Sequence, residues 1–324
     1  MSETTYRQAI TLALADELEA DQTVFVLGED VGAAGGVFKT TDGLFERFGA
    51  ERVLDTPISE QAIVGTAIGA AISGLRPVAE VMFADFAGVC FDQIANELAK
   101  YRYMTAGQYS VPVTIRMANG AGGGFGAQHS QSVENWFLNV PGLKICVPAT
   151  PADAYALLRS AIRDPDPVLF FEHKSLFGVT GPVDRDATVE IGAAEIVRAG
   201  EHATVLVTQM MRQRAVEAAE RLSGEGIELE VIDLRTLMPF DAKTVGESVA
   251  RTGRLICVQE CPNFGSWGAS IAAQVLADQF DYLDGPPLLI GGDATPIPYA
   301  RNLEETWIPS VERIIEQVRR IREL

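Results

Sequence analysis

Two doubly wound α/β domains, the first built on a mostly parallel sheet and the second smaller, are what this chain of 324 residues predicts. Three observations carry the expectation. Apolar runs of strand length alternate with helical periodicity along the chain. The strand runs are continuously apolar, as parallel strands covered on both faces require. The alternation lapses once, from Phe177 to Glu190, where Gly178, Gly181, Pro182, Asp184 and Asp186 collect. These boundaries give a first domain over residues 1–180, a linker over 181–190 and a second domain over 191–324.

The first domain opens with a helix over Tyr6 to Ala20, whose Ala9, Ile10, Ala13, Leu14 and Leu18 recur at helical spacing. Short buried strands follow at Val24 to Leu27 and Arg52 to Asp55, with a glycine-bearing loop and a helix around Leu44 to Phe48 between them. A helix of small residues then starts near Pro57 and Ser59, with Ser59 as N-cap. Glu60 stands at its head, and Gly65 and Gly69, four apart, share a face. Each glycine costs roughly 1 kcal/mol against alanine, so a packing reason is expected. A carboxylate beginning a buried helix is likewise expensive unless something polar meets it.

Arg76 to Met82 reads as the next strand, and Phe86 to Met104 as one long amphipathic helix with Phe91, Ile94, Ala95 and Leu98 inward. Strands at Val111 to Arg116, Lys144 to Pro148 and Val168 to Glu172 complete this half, with a helix over Ala152 to Arg163. The second half repeats the pattern. Strands are expected at Thr204 to Thr208, Glu228 to Asp233, Arg254 to Val258 and Leu288 to Ile290. Helices are expected at Arg212 to Leu222, Asp241 to Arg251, Ser270 to Ala277 and Val311 to Arg322.

Composition excludes several classes. Hydrophobic content of 47% and charged content of 22% are those of a globular protein. A net charge of −18 argues against nucleic-acid binding, which needs a basic face to displace counterions. The longest run free of strongly polar side chains, Ala62 to Leu75, is too short to span a bilayer. The start MSETTYRQAI lacks a basic segment followed by an apolar one, and Cys90, Cys146, Cys257 and Cys261 form no CxxC pair. Scattered thiols in a reducing cytoplasm are expected.

Chemistry-bearing residues are few. Of three histidines, His129 follows the glycine-rich run Asn119 to Gly126, where backbone can approach a ligand. His173 ends an aromatic strand and His202 lies in a turn, and both read as satisfied structural histidines. Gly122-x-Gly124-x-x-Ala127 is a poor dinucleotide fingerprint, because Gln128-His-Ser130 rather than a clear helix start follows it. Phe83 and Phe86 follow the third strand, where open α/β sheets bind ligands.

Asp55-Thr-Pro-Ile-Ser-Glu60 with its glycine helix, followed by Gly120-Ala-Gly-Gly-Gly-Phe-Gly-Ala-Gln-His-Ser-Gln131, resembles the β subunit of the thiamine-diphosphate-dependent first component of 2-oxo acid dehydrogenase complexes. The likeness runs from Tyr6 to Arg301 and includes Val231-Ile-Asp-Leu-Arg235 and Pro296-Ile-Pro-Tyr-Ala300. It implies a transketolase-like pyrimidine-binding domain and a transketolase C-terminal-like domain. It also implies that Glu60 contacts a ring nitrogen of the cofactor's aminopyrimidine and shares a proton there. Phe86 matches the aromatic on the pyrimidine, Ile58 and Met82 match its neighbours, and His129 matches the histidine near substrate and lipoyl group. Carbonyls of Val113, Ala161, Ile162 and Asp164, with Asp166, match a structural potassium site; Asp166 stands where the animal pyruvate enzyme has asparagine.

The family's diphosphate-binding Gly-Asp-Gly motif is missing, Gly292-Asp-Ala294 being the nearest approach. The resemblance therefore implies an α subunit that holds magnesium and diphosphate, in an α2β2 assembly where Gly65 and Gly69 form a close β–β helix contact. A lipoyl acyltransferase is the implied partner for the acyl group. The run Met82 to Asn96, with Lys100 to Met104 and Phe170 to Lys174, looks closest to acetoin dehydrogenases, ahead of pyruvate and branched-chain 2-oxo acid enzymes. A non-catalytic scaffold paralogue is the other reading, and it predicts a degraded site where Glu60, Phe86 and His129 are in place.

Overall fold

A computed structural model describes residues 2–322, and within them two compact units divide the chain. The first comprises the chain up to Asn119 together with Trp136–Ile191. The second comprises Gly120–Asn135 together with the chain from Gly192 onward.

In the first unit, β1 (Ser2–Thr5) leads into α1 (Tyr6–Ala20), which starts at a capping box: the Thr5 side chain accepts the Gln8 N–H, and the Gln8 side chain accepts the Thr5 N–H. Then come β2 (Val24–Gly28), α2 (Leu44–Phe48), β3 (Val53–Asp55), α3 (Glu60–Ile72) and β4 (Arg76–Val81). After α4 (Tyr101–Met104) follow β5 (Thr114–Asn119), β6 (Lys144–Cys146), α5 (Pro151–Arg163), β7 (Val168–His173) and β8 (Thr180–Val183). The sheet strands run in the order β6-β7-β5-β4-β2-β3, all parallel, with β2 and β7 buried along their whole length. The chain goes from β2 to β3 on one side and returns to β4 on the other. The topological switch point therefore lies at the C-terminal ends of β2 and β4.

Three expectations change. The long helix over Phe86 to Met104 is broken into a 3₁₀ turn (Ala84–Gly88), a π-helical stretch (Gln93–Leu98) and α4. The π stretch, with Ala99 N–H bonded to Ile94 O at 3.1 Å, carries an extra residue per turn and rotates the inward face. Ile94, Ala95 and Leu98 stay buried while Phe91 is partly exposed, stacked on Phe137 at 5.4 Å. The strand expected from Val111 begins three residues later at Thr114, since Pro112 has no N–H for a ladder. Gly181 to Val183, placed in the linker, belong to β8, which pairs antiparallel with β1.

The second unit holds β9 (Glu195–Arg198), β10 (Ala203–Val207), α6 (Met210–Ser223), β11 (Leu229–Asp233), β12 (Thr236–Met238), α7 (Ala242–Thr252), β13 (Leu255–Pro262), α8 (Trp267–Gln279), β14 (Leu288–Gly292), α9 (Arg301–Trp307) and α10 (Val311–Arg322). Its five-stranded sheet has the order β14-β13-β10-β11-β9, parallel except for edge strand β9. Val205, Val207, Val231, Ile256 and Val258 form the core with Ala218, Leu222, Ile314 and Ile315. Ala121, from the glycine-rich run, joins that core.

No helix among the described residues is long and apolar enough to cross a membrane. The four cysteines are free and buried. Burial pushes the thiols of Cys90 and Cys257 up to about 12, so they are inert at neutral pH.

Candidate functional site

Glu60 is the first residue of α3 and is only 8% exposed. The turn that delivers it is tied to the loop after β2: Thr56 N–H donates to Gly28 O at 2.9 Å, and Gly32 N–H to Asp55 Oδ1 at 2.6 Å. Gly28 has to be glycine, because a Cβ there would lie 2.9 Å from the carbonyl oxygen of Glu80 on β4. Ser59 occupies the N-cap position of α3, but its side chain does not cap the helix; Oγ donates to Pro57 O at 3.2 Å instead. The Ser59 N–H helps to stabilise the charge of the Glu29 carboxylate. Ile63, Val64, Ala67 and Ile68 bury the inner face of α3 against the sheet, and Gly74, at φ +98°, ends the helix region.

Sequence reasoning did not single out Glu29. It is 8% exposed, and burial, followed by the charges of Glu60, Asp30 and Glu80, raises its carboxyl above the ordinary range, opposed by the Ser59 N–H. Its one visible signal was an acidic pair directly after a buried strand. Glu29 Oε1 and Thr56 Oγ1 are buried without a hydrogen-bond partner among the described residues. Two such atoms at a switch point suit a polar ligand.

Phe86 lies at this end of the sheet. The Cys90 thiol donates to the Phe86 backbone O at 3.8 Å, and the Glu60 charge adds to burial in raising that thiol. Phe86 meets Phe83 edge-on at 5.8 Å, Phe83 meets Phe38 at 5.4 Å, and Lys174 Nζ sits 5.7 Å from the Phe83 ring centre. Phe83 is core, whereas Phe86 and Met82 are half-buried and Ile58 is 83% exposed. Apolar surface beside a buried carboxylate is thus left uncovered by this chain.

Beneath the site, Arg116 on β5 bridges Glu80 on β4 (2.7 Å) and Glu172 on β7 (2.6 and 3.0 Å). All three are buried, and two carboxylates share one guanidinium. Burial pushes Glu172 up to about 7 against the pull of Arg116. Burial works against the Arg116 charge, but Glu172 and Glu80 outweigh it and raise the guanidinium's pKa further.

Of the residues matched to a potassium site, Ile162, Asp164 and Asp166 at the end of α5 are engaged by side-chain cations. Arg76 Nη1 donates to the carbonyls of Ile162 (2.6 Å) and Asp164 (3.1 Å). Val113 O accepts Val168 N–H, and Ala161 O accepts Asp164 N–H. Lys144 bonds the Asp164 carboxylate at 2.6 Å, and Arg102 pairs with Asp166.

His129 belongs to the second unit, half-buried, its N–H bonded to Gly126 O at 3.3 Å. Gly120, Gly122, Gly124 and Gly126 take positive φ values of 87°, 94°, 69° and 74°, which confines these positions to glycine. His173 is 1% exposed with Nδ1 accepting Ser175 N–H, and His202 Nδ1 accepts Glu228 N–H at 2.8 Å; both are spent on structure. The outer face of α3 is open: a Cβ on Gly65 or Gly69 would meet nothing within 4 Å.

Residues 2–179 match the family described as "Transketolase, pyrimidine binding domain", and residues 192–314 match "Transketolase, C-terminal domain". The chain is 44% identical to the pyruvate dehydrogenase E1 component subunit beta of Rhizobium meliloti, across 99% of this chain and 70% of that protein. It is 46% identical to the acetoin:2,6-dichlorophenolindophenol oxidoreductase subunit beta of Cupriavidus necator, covering 96% and 95%. It is 44% identical to the 2-oxoisovalerate dehydrogenase subunit beta of Bacillus subtilis, covering both chains fully. Among solved structures, a split-gene transketolase, described as an inactive beta4 tetramer, superposes with a TM-score of 0.80 at 27% identity over 97% of each chain.

Proposed function

This chain belongs to the transketolase-like family that includes the β subunits of pyruvate, acetoin and 2-oxoisovalerate dehydrogenases, and on that premise we propose that it is the β subunit of a thiamine-diphosphate-dependent dehydrogenase. The reaction is cleavage of a C–C bond next to a carbonyl, with the acyl group passed to a lipoyl acyltransferase. The observation that carries this reading is Glu60: buried at the head of α3, beside uncovered apolar surface and two orphaned polar atoms.

When bound, thiamine diphosphate supplies the electron sink for the cleavage. Glu60 holds a proton at a ring nitrogen of the aminopyrimidine. Glu29, whose charge the Ser59 N–H helps to stabilise, is the second buried carboxylate beside Glu60. Phe86, Met82 and Ile58 offer apolar surface to the pyrimidine and exclude water from the carboxylate. His129 donates a proton during transfer to the lipoyl group. Lacking Gly-Asp-Gly, this chain leaves magnesium and diphosphate to an α subunit in an α2β2 assembly. The open glycine face of α3 is assigned to a β–β contact, and the reducing cytoplasm is the compartment that suits four free buried thiols. Gly65→Leu should then weaken assembly in sedimentation; an unchanged sedimentation profile removes that assignment.

With the α subunit present, Glu60→Gln should lower turnover roughly 10²- to 10⁴-fold, the range of a lost acid–base group. Wild-type turnover in that variant sinks the mechanism. Relatives named for three different substrates lie at 44–46% identity, so overall identity does not choose among acetoin, pyruvate and branched-chain 2-oxo acids. The motif likeness favours acetoin, and turnover of the three by the reconstituted pair decides it.

A structural potassium at Val113, Ala161, Ile162, Asp164 and Asp166 would share the Ile162 and Asp164 carbonyls with Arg76. A melting temperature that rises saturably in potassium but not choline chloride supports such a site, and identical curves remove it.

A further inference from the structure

The second unit has a switch point of its own, at the C-terminal ends of β10 and β13, because β10 is flanked by β11 on one side and β13 on the other. Open α/β sheets bind ligands in such a crevice. Here the chain's own glycine-rich run takes the place. Ala121 is 1% exposed within the core that includes Val207 and Val258. Its N–H donates to Glu260 Oε1 on β13 at 2.7 Å. The same oxygen accepts Ser132 Oγ at 2.8 Å, and Gly120 N–H closes the base of the loop on Gln131 O at 3.3 Å. Glu260 therefore clamps both feet of a loop whose residues 122–131 include His129.

The arch of the loop is held by a second carboxylate. Glu304, on α9, is 0% exposed and uses both oxygens: Oε1 accepts Gly122 N–H and Oε2 accepts Gly124 N–H, each at 2.9 Å. Alternating positive φ at Gly122 and Gly124 turns these two N–H groups toward one acceptor, as in the backbone nests that bind anions. Gly126 rests against Tyr299 on the approach to α9. A loop with so little side chain has almost nothing to pack, so hydrogen bonds must set its shape. A fully buried carboxylate is costly unless its oxygens are bonded, and the glycine N–H groups meet that need.

We propose that Glu304 and Glu260 are positioning residues for His129, holding the glycine loop as a bound anion would and so presenting the histidine in one place. The proposal rests on the assignment of His129 above. Two measurements separate its failure from the failure of that assignment.

Hydrogen exchange of the full chain is read first. In Glu304→Ala, the amides of residues 122–124 should exchange about 10- to 100-fold faster, while core peptides over 205–207 and 256–258 stay protected. Kinetics of the chain reconstituted with its α subunit are read second. Glu304→Ala should lower kcat for lipoyl-dependent transfer about 10- to 100-fold with the substrate KM unchanged, as misplacement of a reacting group does. Reduction of 2,6-dichlorophenolindophenol, which needs no lipoyl transfer, should persist. Glu304→Gln, which keeps the acceptor for Gly122 but turns an NH₂ toward Gly124, should fall between, and Glu260→Gln tests the clamp should Glu304→Ala fail to fold. His129→Ala combined with Glu304→Ala should be no worse than His129→Ala alone.

Wild-type lipoyl transfer in a Glu304→Ala protein whose loop exchanges fast, with His129→Ala defective, overturns the proposal. Unchanged exchange in that variant overturns it as well. Wild-type transfer in His129→Ala overturns the histidine's assignment and the positioning role with it, while the exchange result still tells whether the carboxylates hold the loop.

Discussion

The two switch points are the same place in two sheets of similar winding, and the chain treats them in opposite ways. At the first, Glu60 and Glu29 are buried, Glu29 Oε1 and Thr56 Oγ1 lack partners among the described residues, and Ile58 and part of Phe86 stand uncovered. At the second, Glu260 and Glu304 are buried too, yet Glu304 gives both oxygens to backbone N–H groups of the same chain, and Glu260 gives Oε1 to the Ala121 N–H and the Ser132 hydroxyl. A carboxylate at a strand end is thus not by itself a sign of chemistry. What separates a working group from a structural one is whether the chain has already satisfied it.

That contrast is broken or sharpened by experiments of decreasing size. The largest stability effect is expected from Arg116→Met. It strips two buried carboxylates of their shared guanidinium and should cost about 3–5 kcal/mol in urea unfolding. A loss under 1 kcal/mol would mean that the triad adjusts by taking up protons. Next is Ala121→Leu, which overfills the second crevice and should cost about 1–3 kcal/mol. An unchanged melting curve would mean that the crevice has room, and the distinction between an open and a filled switch point would go with it. Ile58→Ala should change the melting curve little, within about 0.5 kcal/mol for an exposed side chain. It should nonetheless weaken cofactor binding in the assembled enzyme by titration calorimetry.

The pH dependence of the first unit follows from Glu172. Its folded-state pKa of about 7 lies above the ordinary value of 4.5, so between those two values the folded chain keeps a proton that the unfolded chain has lost. Stability from this group is complete below the lower value and falls as pH rises through the window, with a slope of at most ~1.4 kcal/mol per pH unit. Glu172→Gln should flatten that slope in denaturant curves taken from pH 5 to 8, and an unchanged slope would assign the effect elsewhere. A small effect of the opposite sign is expected at Gly65. With nothing within 4 Å of its Cβ position, Gly65→Ala should stabilise the isolated chain by up to about 1 kcal/mol. Destabilisation there would mean that the helix face is not free.

Much of this was legible in the sequence. The helix over Tyr6–Ala20 has the boundaries its periodicity predicts, because a capping pair and a continuous apolar stripe are local properties. The strands from Val24, Arg76 and Val168 were visible as uninterrupted apolar runs. Glu60 stood out because a carboxylate at the head of a helix of small residues is a local conflict. The π stretch over Gln93–Leu98 was hidden, since Ile94, Ala95 and Leu98 fit an α-helical stripe as well as a π-helical one. Only the packing of the far face tells them apart.

The sequence by itself determined the α/β class, the order of most strands and helices, the motif that carries Glu60 and the glycine run before His129. These depend on periodicity and on residue types within a few positions of one another. The tertiary structure decided which carboxylates are free to act. Glu260 meets Ala121 N–H at a separation of 139 residues, and Glu304 meets Gly122 N–H at a separation of 182 residues. No local pattern records a hydrogen bond between groups that only folding brings together.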